Sequence, residues 1–137
     1  MASAGYSGTP LPQKLGIKAG MTVHVVDAPM DYSALIAPMG HKVAFATRLS
    51  KDVEVLHAFV TKKGRLEDVL DRARAGLGSE AVIWISWPKK ASGIASEITE
   101  DTVRDLALPL GFVDVKVCAV DNTWSGLKLV VRKALRD

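Results

Sequence analysis

Cysteine is almost absent from this chain. Cys118 stands alone, which rules out an internal disulfide and fits a reducing compartment, the cytoplasm being the expectation. Charge of one sign is also missing as a block: 18 basic and 15 acidic residues alternate to a net charge of +3 and a pI near 9.1. That mild basicity permits nucleic acid without indicating it, and a weak nucleic-acid binder is the most distant of three readings. No apolar run approaches the ~20 residues that cross a bilayer, so no membrane partner is expected. The opening MASAGYSGTP has neither the cationic start nor the apolar stretch of a secretory signal. The local catalytic signatures are lacking too: there is no GxxxxGK[ST], no GxGxxG, no GxSxG and no HExxH. Their absence lowers the odds of an enzyme, although a site assembled from separate loops leaves no such trace.

What is present is a chain of 137 residues, 48% of them apolar, enough for one continuous core. Residues 1–8 are small and polar and predict a flexible N-terminal arm, followed by a single α/β domain over 9–137. Ala81-Val82-Ile83-Trp84-Ile85-Ser86 reads as a strand buried on both faces, ending at Trp87-Pro88 because proline cannot continue a ladder. Met21–Asp27 and Val53–Val60 read as further strands, with a short one at Val43–Thr47 that is either an irregular edge piece or antiparallel. Leu66, Val69, Leu70 and Ala73 recur at helical spacing and predict a helix over Arg65–Ala75. Tyr32, Leu35, Ile36 and Met39 do the same for a shorter helix stopping at Gly40. Thr99 caps another, with Ile98 and Val103 spaced as a hydrophobic staple. Phe112–Val120 and Leu127–Arg132, joined by a turn-rich link over Asp121–Gly126, predict an antiparallel pair. The fold expected is a Rossmann-like three-layer α/β sandwich. Its mostly parallel sheet has about six strands and is closed by a C-terminal antiparallel hairpin, which leaves a sheet edge open to self-pairing and the oligomeric state undecided.

In such sheets ligands bind outside the carboxyl ends of the strands, so four loops are expected to converge there. The candidate ligand-binding residues are Asp27, Lys62, Trp87, Lys89, Lys90, Ser92, Asp121, Trp124 and Ser125. Lys89 and Lys90, with Ser92 and exposed backbone N–H groups, suit an anion such as phosphate, and equally suit a solvated surface turn. Trp87 and Trp124 offer stacking faces, although lidding a small core is the commoner use. Asp27 and Asp121 offer an acid–base pair, against which stand capping and turn formation. His24 and His57 fall in strands placed side by side and are weighed as a paired base or metal site against ordinary sheet histidines. His41 looks solvated, and Cys118 reads as a packing residue. No metal site follows from the spacing.

The order of elements resembles the class I methyltransferases, the Rossmann-like enzymes that use S-adenosylmethionine. Leu15-Gly16-Ile17-Lys18-Ala19-Gly20-Met21-Thr22-Val23 is similar to the lead-in of their first strand, and GFVDVKV followed by LKLVVRK to their closing hairpin. The resemblance implies a glycine-rich turn after the first strand, where this chain has Asp27-Ala28-Pro29. It also implies an acid after the second, where this chain has Thr47-Arg48. No cofactor-binding residue is carried over, and S-adenosylmethionine is disfavoured. YSGTPL, KLGIK, SWPKKASG and VDVKVCAVDNTWSGLK further resemble a small uncharacterised bacterial family, a domain of unknown function. The leading expectation is a non-catalytic module binding a small anionic or nucleotide-like ligand, or a protein partner, at the carboxyl edge. The alternative is a divergent S-adenosylmethionine-dependent methyltransferase.

Overall fold

Six strands form one sheet in the computed structural model, which describes residues 8–137; the expected N-terminal arm lies outside the described residues except for Gly8. The strands are β1 (Thr22–Val26), β2 (Ala44–Phe45), β3 (Val55–Phe59), β4 (Val82–Pro88), β5 (Phe112–Ala119) and β6 (Trp124–Val131). Their order is β2-β1-β3-β4-β6-β5. The first four run parallel, and β6 is antiparallel to both β4 and β5. The fold is therefore the expected Rossmann-like α/β sandwich with a mostly parallel sheet and an antiparallel end. Among the described residues, no helix is long and apolar enough to cross a membrane.

The two faces of the sheet carry separate cores because side chains alternate along each strand. Leu56, Ala58 and Val60 join Leu66, Val69 and Leu70 of helix α3 (Lys63–Gly76) and Val103 of helix α4 (Glu100–Ala107). Val55 and Phe59 join Leu15 of helix α1 (Leu11–Leu15) and Tyr32 of helix α2 (Tyr32–Leu35) on the other side. Trp84 is fully buried there, and its indole N–H donates to the Leu15 carbonyl at 3.0 Å. The helix caps follow from the residues: Thr99 and Thr102 form a reciprocal capping box at α4, with Ile98 and Val103 both buried, as the staple spacing predicts.

Several expectations shift. The strand expected to end at Trp87 runs through Pro88, which pairs with Trp124; at the last position of a strand a missing N–H costs one ladder bond at most. β6 begins at Trp124, so the link from β5 is shorter than the expected 121–126. The helix expected across 32–39 stops at Leu35, and a separate 3-10 turn at Met39–His41 follows the cis Ala37–Pro38 bond, since proline disfavours a helical residue before it. Finally, β2 is a two-residue edge strand, parallel to β1. The chain reaches β3 through residues 46–54, which carry no helix. Nine extended residues reach about 30 Å, ample to return along strands this short. Leu49 of this crossover packs against the α3 core, its Cβ lying 3.3 Å from where a Cβ on Gly76 would stand.

Candidate functional site

The chain steps from β1 outward to β2, then back across β1 to β3. Strand order thus reverses between β1 and β3, the position where open α/β sheets form their ligand crevice. A crevice of about 310 Å³ opens there, lined by Asp27, Phe59, Thr61, Lys62, Arg65 and Trp124. Asp27 follows β1 directly with a left-handed backbone, φ +57°, a conformation that favours glycine and that Asp tolerates better than most residues. Its carboxylate accepts from Arg65 Nε at 2.9 Å. That hydrogen bond, with the nearby charges of Asp27 and Asp68, pushes the Arg65 guanidinium further above its ordinary value. The loop before α4 fixes the start of α3: Lys63 N donates to the Glu97 carboxylate at 2.8 Å, and Glu97 N donates to the Thr61 carbonyl at 2.8 Å.

Of the nine residues singled out from the sequence, the structure gathers Asp27, Lys62 and Trp124 around this crevice and disperses the rest. Trp87 is 7% exposed and belongs to the core under α3 and α4, whereas Trp124, also 7% exposed, belongs to the opposite face. They do not form one stacking platform. Trp124 meets Phe59 edge-on, ring centroids 5.3 Å apart. Lys89 donates through Nζ to the Asp121 carbonyl at 2.8 Å and through its backbone N–H to the Thr123 carbonyl at 2.8 Å. The Asp121 carboxylate accepts from Thr123 N and Trp124 N at 2.8 and 2.7 Å, a turn-forming role. Ser92 Oγ donates to the Lys89 carbonyl at 2.6 Å. Two of the four expected loops are thus lashed to each other, Lys90 is exposed beside them, and Ser125 sits inside β6 opposite Trp87.

The histidines also separate. His57 pairs in register with Val25, so His24 projects to the opposite face. His24 Nδ1 lies 2.9 Å from the Ala46 carbonyl. His57 Nδ1 is 2.7 Å from Tyr32 Oη and its Nε2 is 2.7 Å from Ser86 Oγ, a three-residue chain buried under α2. Burial lowers the His57 pKa to about 3 and raises that of the Tyr32 hydroxyl. With both ring nitrogens engaged and no exposure, this chain specifies the core. Among the described residues, no group of three or more acidic, histidine or cysteine side chains is arranged to hold a metal ion.

Sequence reasoning overlooked Arg65 and Phe59 in the crevice. It also overlooked a second, larger cleft of about 620 Å³ between the β2–β3 crossover and α3, which includes His24, Arg48, Arg65, Asp68 and Arg72 in its walls. The available signal was the spacing of Arg65, Asp68 and Arg72, three and four residues apart on one helix face.

No protein-family model and no curated protein sequence matches the chain. Solved structures do. A SAM-dependent methyltransferase from Aquifex aeolicus matches with a TM-score of 0.67 at 14% identity, over 88% of this chain and 87% of that one. Fibrillarin from Aeropyrum pernix, in complex with natively bound S-adenosyl-L-methionine, matches at 0.53 and 12% identity over 92% and 70%. The M1A22 tRNA methyltransferase of B. subtilis matches at 0.55 and 7% identity over 90% and 65%. These likenesses overturn the expectation of a non-catalytic module, which rested on the convergence of Lys62, Trp87, Lys89, Lys90, Asp121 and Trp124 at one edge without a recognisable catalytic set: the architecture recurs in enzymes. At these identities they establish the fold, and the chain has the Rossmann-like fold of the S-adenosylmethionine-dependent methyltransferases.

Proposed function

We propose that this protein is a divergent S-adenosylmethionine-dependent methyltransferase whose cofactor site is the crevice at the β1–β3 strand reversal. The observation that carries the reading is the coincidence of that reversal with a crevice holding Asp27, Lys62 and Thr61, in a fold shared with methyltransferases and with a protein that binds S-adenosyl-L-methionine. The amino-acid end of the cofactor carries an ammonium and a carboxylate, and the crevice supplies a partner for each: the Asp27 carboxylate and the Lys62 ammonium. Phe59 and Trp124 add apolar ring surface beside them. The fit differs from the pattern of the resembled family at two points. Pro29 offers no backbone N–H in the turn after β1, and Arg48 stands after β2 in place of an acid for the ribose hydroxyls. When bound, the cofactor supplies an electrophilic methyl group. The chain's part is to hold its charged end and to keep Asp27 oriented through Arg65.

Calorimetric titration with S-adenosylmethionine and S-adenosylhomocysteine tests this. Saturable binding in the micromolar range is expected, weakened about tenfold, or ~1.4 kcal/mol, when Asp27→Asn removes the charge that meets the ammonium. No saturation by either compound at millimolar concentration would overturn the reading. The YSGTPL, SWPKKASG and DNTWSG motifs support membership in the small bacterial family they resemble. A protein carrying all three with a different strand order would argue against it.

A further inference from the structure

The cleft between the β2–β3 crossover and α3 takes no part in holding the charged end of the cofactor, yet it shares Arg65 with the cofactor crevice. Three guanidinium groups line it against one carboxylate, Asp68, among the described residues. The hydrogen bonds show how many of their N–H groups remain. Arg65 commits Nε to Asp27 and Nη1 to Asp68 at 3.1 Å. Arg72 commits Nε to Asp68 at 3.0 Å, leaving both terminal nitrogens. Arg48 forms no ion pair with the described residues. Asp68 thus braces two arginines from one side while their outer N–H groups stay open, and Arg48 adds a third fork from the crossover. A plain lattice of surface ion pairs along α3 accounts for Arg65, Asp68 and Arg72. It does not account for Arg48.

Two further features shape the cleft. Val26 and Leu49, both partly buried, give it an apolar wall. His24 lines it as well, and because a carbonyl can only accept, the bond to Ala46 O places a proton on Nδ1; in the neutral ring that leaves Nε2 as the acceptor. The volume, about 620 Å³, suits a small molecule. Guanidinium forks match the planar or tetrahedral oxygens of carboxylates and phosphates.

We infer that this cleft binds the methyl acceptor, and that the acceptor is a small molecule bearing a carboxylate or phosphate on an apolar body. The oxyanion is held by Arg48 and Arg72, the body lies on Val26 and Leu49, and His24 Nε2 of the neutral ring accepts a hydrogen bond from the acceptor's hydroxyl or amine. The acceptor role rests on the methyltransferase reading, because it is the wall shared at Arg65 that sets this ligand beside the cofactor.

The test is an amide NMR titration at constant ionic strength with phenyl phosphate and with benzoate as anionic probes and benzyl alcohol as the neutral one. Saturable shifts are expected at Thr47, Arg48, Leu49 and Gly76 with at least one anion, the preferred one distinguishing phosphate from carboxylate acceptors. Arg48→Met and Arg72→Met should each weaken that binding at least fivefold while the remaining amide spectrum stays that of the folded protein. Absence of shifts with both anions, equal affinity in the arginine variants, or equally tight binding of benzyl alcohol would overturn the site. A parallel titration with S-adenosylhomocysteine separates the two failures: its failure removes the cofactor and with it the acceptor role, whereas failure of the anions alone removes only the cleft.

Discussion

His57 is an ionisable residue held wholly out of water. It is fully buried, stacked on Phe59 with ring centroids 4.4 Å apart, and hydrogen-bonded at both nitrogens. Protonating it would place an unpaired charge inside the sheet, and burial accordingly lowers its pKa to about 3. Above pH 6.5 the ring is neutral in both the folded and the unfolded chain and contributes nothing to pH dependence. As pH falls from about 6.5 towards 3, the unfolded chain takes up a proton that the native one refuses. Stability is therefore lost by up to about 1.4 kcal/mol per pH unit across that window. Urea unfolding of the wild type between pH 7 and pH 4 should show this slope in excess of that of His57→Gln, where other titrating groups act equally. Parallel stability–pH curves for the two proteins would show that His57 is not held neutral. The sequence revealed a histidine inside a strand, and no more: its partners Tyr32 and Ser86 lie 25 and 29 residues away, beyond any local pattern.

At the scale of elements, what could be read from the sequence was whatever depends on neighbouring residues. Thr99, Ile98 and Val103 announce α4 because a cap and a staple are local chemistry. The ends of β4 and β6 were misjudged because their extent is set by each other: Pro88 is in the sheet since Trp124 is there to pair with it. The contact between these two strands depends on Gly126, opposite Ser86. A Cβ at that position would stand 3.1 Å from Val120 Cγ2, 3.2 Å from Trp84 Cε3 and 3.3 Å from Ser86 Oγ. All three atoms belong to buried side chains, so none yields freely. Gly126→Ala should therefore destabilise the protein by about 1–3 kcal/mol, the range for overpacking a filled core, even though alanine is the better strand residue. Chemical denaturation measures the loss, and near-UV circular dichroism should show the Trp84 band altered. An unchanged or raised unfolding midpoint would mean that the face above Trp84 has room to spare.

For the whole molecule, the carboxyl edge was legible because alternating strands and helices dictate it, but the grouping along that edge was not. Lys89 suited an anion or a solvated turn equally until Asp121 came within reach of it, and Arg65 carried no role beyond opening a helix until the sheet placed Asp27 beside α3. Both outcomes depend on strand order, which no local spacing encodes. The same order makes the fold depend on its last segment. β6 lies between β4 and β5 and, among the described residues, is the sole sheet partner of β5. It contributes Leu127 and Leu129, neither measurably exposed, and Val131 at 3%. At about 1.5–3 kcal/mol for each buried aliphatic side chain, these three supply an amount comparable with the whole stability of a typical domain, about 5–15 kcal/mol. Their loss would also uncover the hydrogen-bonding edge of β4 and the face of Ile83 and Ile85. A chain ending at Thr123 keeps every helix from α1 to α4 and five of the six strand sequences, yet it should show no cooperative thermal transition and should bind a hydrophobic dye strongly. Should that truncated chain instead unfold cooperatively with a midpoint near that of the full protein, the parallel half of the sheet would be a self-sufficient folding unit and the inserted strand an accessory to it.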